Sequence, residues 1–170
     1  APMVKTCHAY CSYCFRWKQF VDHNLQTNQS YSYSNPNDPV AYLLSHPEIT
    51  DILFTGADPL VLPSSTIEAY VTPTLAVDSV ETIQFSSKAL AWWPYRFTTD
   101  KDAGNLLRLF EHIVDQGKHL SFVAHFTHVR ELENDAVVKA IHSIQNTGAV
   151  IRCQGPIAEG INDHWSDWAN

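Results

Sequence analysis

Short apolar runs alternate with helical stretches along the whole chain, and no tight-turn signal joins one run to the next as a hairpin. The runs fall at residues 2–6, 50–55, 82–86, 119–125 and 149–154. Strands separated by helices pair in parallel, because each helix returns the chain to the edge where the strand began, and the crossovers are right-handed. An open doubly wound sheet and a (β/α) barrel both satisfy that pattern. A whole barrel takes about 250 residues. Five units in 170 residues make an incomplete, open one. The expected fold class is therefore α/β, a partial (incomplete TIM-type) β/α barrel with parallel strands. In either architecture ligands sit at the carboxyl edge of the strands.

The helices carry start and stop signals. Asp38-Pro39 supplies a cap and a first-turn proline for a helix to about residue 45. Pro63-Ser64-Ser65 opens another, to about residue 70. Asp100 or Asp102 caps a third, with Leu106, Leu107, Leu109, Phe110, Ile113 and Val114 on one apolar face and Gly117 as its stop. Residues 133–146 repeat the scheme, with Val137, Val138, Ile141 and Ile144 inside and Gly148 as the stop. Residues 31–38 read as a polar loop, and Asn162-Asp163 as the cap of a final helix beginning at His164.

Composition narrows the class of partner. Apolar residues make up 45% and charged residues 17%, a globular balance. The formal charge is −7, and no basic run offers a groove for nucleic acid. No apolar stretch approaches the ~20 residues of a membrane span, and the first six residues lack the apolar core of a secretion signal. Of four cysteines, three crowd into positions 7–14 while Cys153 stands far off. That is a metal pattern, and it points to a reducing compartment, the cytoplasm. Cys153 reads as a small hydrophobe.

Directly after the first strand stands Cys7-His8-Ala9-Tyr10-Cys11-Ser12-Tyr13-Cys14, with the spacing C-x3-C-x2-C. A cubane needs four iron ligands, usually thiolates. Cys7, Cys11 and Cys14 can hold three irons of a [4Fe-4S] cluster on one loop and leave the fourth open. An open iron can chelate the amino and carboxylate groups of S-adenosylmethionine, which an electron from the cluster then cleaves to the 5′-deoxyadenosyl radical. The competing reading is a structural zinc site completed by His8 or His23. Structural zinc usually uses C-x2-C pairs, and His8 adjoins Cys7, which makes joint ligation awkward. An electron carrier normally uses cysteine for every iron.

After the second strand, Thr55-Gly56-Ala57-Asp58-Pro59-Leu60 offers small residues and free carbonyls that can receive an ammonium group, or forms a plain strand-to-helix turn. C-x3-C-x-aromatic-C, with Tyr13 as the aromatic, resembles the signature of the radical SAM superfamily, whose fold is a partial (β/α) barrel. The 55–60 segment resembles the Gly-Gly-Asp-Pro-Leu motif of its lysine 2,3-aminomutase branch, with Ala57 for the second glycine. A methyl group there requires a negative φ.

The resemblance continues along nearly the whole chain. It runs through Phe85-Ser86-Ser87-Lys88-Ala89-Leu90, Trp93-Pro94-Tyr95-Arg96, Ala124-His125-Phe126-Thr127-His128 with Glu131, Arg152-Cys153-Gln154 and Gly160-Ile161-Asn162-Asp163. It implies that Tyr13, Gly56, Ala57, Asp58, His125 and Gln154 belong to the S-adenosylmethionine site. It also implies that Arg16 grips a substrate carboxylate, for which guanidinium suits. From the residues alone, Arg16 also reads as a surface cap, His125 and His128 as edge histidines, and Trp92 and Trp93 as packing rather than pocket lining.

The implied partners are S-adenosylmethionine, a small-molecule substrate such as an amino acid or other carboxylate, and a reducing electron donor such as flavodoxin or ferredoxin. Pyridoxal phosphate, which the aminomutases hold through a downstream lysine, is implied only for a longer form. The chain stops where a helix has barely begun, so residues 1–170 are expected to be a radical SAM core truncated at its C-terminus.

Overall fold

A computed structural model describes residues 1–17 and 35–169. His23 and residues 31–34 of the polar segment 31–38 lie outside the described residues. Five strands, β1 (Pro2–Val4), β2 (Asp51–Gly56), β3 (Thr82–Ser87), β4 (His119–His125) and β5 (Val150–Gln154), form one sheet. All neighbours run parallel, and the order across the sheet is β1-β2-β3-β4-β5. A doubly wound sheet reverses direction at its first strand. This one does not, so of the two architectures open to the sequence it is the barrel type of winding that forms, as an open, partial barrel.

The helices are α1 (Asn37–Ser45), α2 (Ser64–Leu75), a single turn α3 (Ala89–Trp92), α4 (Ala103–Asp115) and α5 (Asp135–Gln145). Short 3-10 turns at Pro59–Val61, Pro94–Phe97, Val129–Leu132 and Trp165–Asp167 sit in the connections. Strand periodicity explains how helices and sheet meet. Ile52, Ile83 and Leu120 form one buried row across β2, β3 and β4, and Phe54, Phe85 and Phe122 the next. Phe110 of α4 packs against both Phe85 and Phe122. The alternate residues, Leu53, Thr55, Gln84 and Ser86, face the other way.

Several boundaries differ from the sequence reading. Helix α2 runs on through Pro73 to Leu75. Val138 is exposed, not inside, because it lies one residue and thus ~100° around the helix from buried Val137. Cys153 is exposed as well, since β5 is the edge strand among the described residues and no helix covers it there. The last segment forms only the turn Trp165–Asp167, capped by the His164 side chain. Asn162 is no cap. It is buried and donates to the Thr127 and Pro156 carbonyls at 2.6 and 2.8 Å while accepting from the Ala158 amide at 2.6 Å, bolting the tail to the end of β4.

Arg96 sets the connections after β2 and β3 against each other. Its buried guanidinium donates to the Leu60 and Leu62 carbonyls, both at 3.0 Å, and to Asp102 at 3.1 Å. Asp102 in turn accepts from the Ser64 amide and hydroxyl at 2.7 and 2.6 Å, joining the starts of α2 and α4. Burial opposes ionisation of Asp102, but the Ser64 donors, Asn105 and Arg96 together hold its carboxyl down at about 2. Among the described residues no helix is long and apolar enough to cross a membrane.

Candidate functional site

The carboxyl ends of all five strands lie at one edge, and the cysteine loop follows β1 there. Cys7, Cys11 and Cys14 are free and half-buried. Their loop is turned by the Cys14 amide on the Cys11 carbonyl at 3.0 Å and the Trp17 amide on the Cys14 carbonyl at 3.2 Å. The Ala9 amide donates to Cys7 Sγ at 3.4 Å, the kind of bond that tunes a cluster thiolate. Burial pushes the Cys7 thiol up, against the pull of the Ala9 and Tyr10 amides.

Three free thiols around one cavity fit the donor chemistry of a cluster with one open iron. Among the described residues no three Cys, His, Asp or Glu side chains stand close enough to ligate a metal as they are, so the loop has to draw in around it. The zinc reading gains nothing. The His8 ring is turned to Asp58, with Nε2 3.6 Å from its carboxylate, and to Trp93, rather than to a thiol.

Tyr13 fastens the loop to β4. Its hydroxyl is 2.6 Å from Thr127 Oγ1, and its ring meets the His125 imidazole edge-on at 5.8 Å. Thr127 belongs to a small network that sequence reasoning missed. Lys88, buried after β3, donates to Thr127 Oγ1 at 3.0 Å, pairs with Glu131 at 3.0 Å and reaches the His125 carbonyl at 3.4 Å. Glu131 also accepts from the Thr127 amide at 2.6 Å. Burial and the Lys88 charge push the His125 imidazole down, toward its neutral form. His128 stands apart, its ring accepting the Arg130 amide.

At the end of β2 the chain passes under the cysteine loop. The Ala57 amide donates to the Val4 carbonyl at 2.9 Å and the Asp58 amide to the Thr6 carbonyl at 3.2 Å. Gly56 has φ +137°, and a Cβ there would lie 2.4 Å from the Val4 carbonyl oxygen. Tyr10, at φ 44°, is the one described non-glycine residue with positive φ, so the methyl of Ala57 is accommodated. Arg16 donates through Nη1 to the Gly56 carbonyl at 2.7 Å and to Thr55 Oγ1 at 3.0 Å.

Asp58 is buried and faces β3. Its carboxylate accepts from Ser87 Oγ at 2.8 Å, the Lys88 amide at 2.9 Å and the Leu60 amide at 3.0 Å. Burial pushes this carboxyl up, and His8, the Lys88 and Leu60 amides and Ser87 pull it back. Removing it in Asp58→Ala orphans three buried donors, and the expected cost is about 3 kcal/mol. The denaturant midpoint should fall sharply for Asp58→Ala and less than half as far for Asp58→Asn, which keeps one acceptor. Equal midpoints for wild type and Asp58→Ala would show that the carboxylate holds nothing there.

These ends enclose a cavity of about 660 Å3, within the range of small-molecule sites. Its walls include Cys7, Cys11, Cys14, Tyr13 and Arg16 from the loop, Gly56 at the end of β2 with Ala57 and Asp58 just beyond it, and His125 and Gln154 from β4 and β5. Every candidate site residue of the sequence is thus brought together. Neither Trp92, which is exposed, nor Trp93, which lies against Arg96 at 5.8 Å, is among the lining residues.

No protein-family model matches the chain. Curated relatives do. The chain is 36% identical over 162 residues to a protein of Aquifex aeolicus named "Putative L-lysine 2,3-aminomutase", a match covering 95% of this chain and 41% of that protein. It is 22% identical to the L-lysine 2,3-aminomutase of Clostridium subterminale, over 92% of this chain and 34% of that one. The glutamate 2,3-aminomutase of Clostridioides difficile is 23% identical over 95% of this chain and 35% of its own length. The chain therefore spans roughly two fifths or less of these relatives.

Proposed function

We propose that residues 1–170 form the S-adenosylmethionine-binding core of an enzyme of the lysine 2,3-aminomutase branch of the radical SAM superfamily. One observation carries this reading: three free thiols on the loop after β1 and the ends of β2, β4 and β5 line a single cavity. The similarity to aminomutases over nearly the whole chain supports it. When bound, a [4Fe-4S] cluster supplies the electron that cleaves S-adenosylmethionine to the 5′-deoxyadenosyl radical. Cys7, Cys11 and Cys14 hold it. Gly56 and Ala57 offer backbone to the methionine moiety, while Asp58 keeps their turn fixed against β3. Tyr13, His125 and Gln154 line the side where the nucleoside lies, and burial together with the Lys88 charge favours the neutral form of the His125 imidazole there.

The substrate in this reading is an amino acid or other carboxylate, the setting is the cytoplasm, and a flavodoxin or ferredoxin supplies the electron. The aminomutase names favour a second, narrower reading, a pyridoxal-phosphate-dependent amino migration completed by a longer form of the protein. Lys88 is not free for that cofactor, being paired with Glu131. Anaerobic reconstitution with iron and sulfide should give a brown protein with a cubane electron-resonance signal on reduction, altered by S-adenosylmethionine. Stoichiometric zinc with no iron uptake would overturn the proposal.

A further inference from the structure

Arg16 already occupies the acceptors that the proposed function reserves for a cation. Its Nη1 lies 2.7 Å from the Gly56 carbonyl oxygen and 3.0 Å from Thr55 Oγ1, and the guanidinium rests near the Phe15 ring, 5.2 Å from its centroid. A carbonyl and a hydroxyl that converge on one positive group at a strand's carboxyl end make an ammonium-type site. Here the chain's own side chain fills it.

We infer that Arg16 is a built-in occupant of the ammonium subsite, which S-adenosylmethionine must displace from Gly56 before its own amino group can bind. The inference rests on the functional reading above and deepens it. The two cations compete because a second positive charge at hydrogen-bond distance from the same oxygen meets like-charge repulsion that a half-buried site screens poorly. No side-chain carboxylate of the cavity wall is free to relieve it. Asp58 is the one acidic side chain lining the cavity among the described residues, and its carboxylate is taken up by Ser87, Lys88 and Leu60.

An order of binding follows. Before S-adenosylmethionine arrives, the guanidinium points at the strand end. Once displaced, it is free within the same cavity to pair with a carboxylate, for which its planar fork is suited. Arg16 thus couples the two substrates, and the cofactor enters first.

The sign of one mutational effect tests this. Calorimetric binding of S-adenosylmethionine is compared for the reconstituted wild type and Arg16→Met, with 5′-methylthioadenosine, which has the nucleoside but no amino-acid ammonium group, as a second probe. Arg16→Met should bind S-adenosylmethionine about fivefold more tightly, equivalent to roughly 1 kcal/mol, with 5′-methylthioadenosine unchanged. Arg16→Lys, which keeps a competing cation, should stay near wild type. If Arg16→Met loses its iron, Arg16→Gln gives the same sign with a smaller change. Equal or weaker binding by the iron-loaded variants overturns the inference alone. A tightening shared by both probes also overturns it, since the ammonium would not be what competes. Failure of the wild-type holoprotein to bind S-adenosylmethionine overturns the functional reading and the inference with it.

Discussion

Replacing Cys7, Cys11 or Cys14 by alanine is expected to abolish iron retention while leaving the protein folded. The three thiols sit half-buried on a loop beyond the carboxyl edge of the sheet, and none belongs to the packed rows around Phe54, Phe85 and Phe122. Truncating one removes little buried apolar surface, so the unfolding free energy of the metal-free protein, read by denaturant titration, should fall by less than about 1 kcal/mol. A cluster that already leaves one iron open is not expected to survive the loss of one of its three thiolate ligands. Iron per chain, the brown absorbance and the electron-resonance signal should all vanish together. Cys153→Ala should change none of them, because that thiol lies exposed on the edge strand. Full iron retention in any of the three loop variants would remove that residue from the ligand set.

Gly56→Val should have an effect as large by a different route. A substitution confined to the methionine-binding turn would leave a cluster in place, but Gly56 does more than line that turn. At φ +137° a β-branched residue is strained, and its Cβ would stand 2.4 Å from the Val4 carbonyl oxygen and 2.9 Å from the Val4 nitrogen. Both obstacles are backbone, so no side chain can swing aside. Strand β1 has to move away, and the amide bonds from Ala57 to Val4 and Asp58 to Thr6 go with it. Those bonds hold the segment that leads directly into Cys7. Loss of stability by about 4 kcal/mol or more is expected, with iron retention and S-adenosylmethionine binding failing together. A variant with a normal midpoint and normal iron content would show that β1 tolerates the displacement.

The winding of the chain was legible in its sequence because strand and helix periods differ and because two of the helices carry their own stops, at Gly117 and Gly148. The candidate site was legible too, since its residues cluster directly after strands, where a parallel sheet collects them at one edge. What escaped depends on register between strands far apart in sequence. Nothing local to Thr127 says that it meets Tyr13 and Lys88, or local to Asn162 that its amide turns back to Thr127 instead of capping a helix. The same holds for Asp58, which reads as a ligand residue in its motif and is found clamped to the end of β3.

The sequential strand order bears on how the molecule is made. Each strand pairs with the one synthesised just before it, so the chain closed by each new pairing is a single helix-bearing connection. Closure entropy rises only slowly with such lengths, and no early strand waits for a late partner. A nascent chain can therefore lay down its sheet in the order in which it leaves the ribosome. The backbone bonds that hold the segment leading into Cys7 on the end of β2 need neither β4 nor β5, while the Tyr13 contact with Thr127 waits for β4.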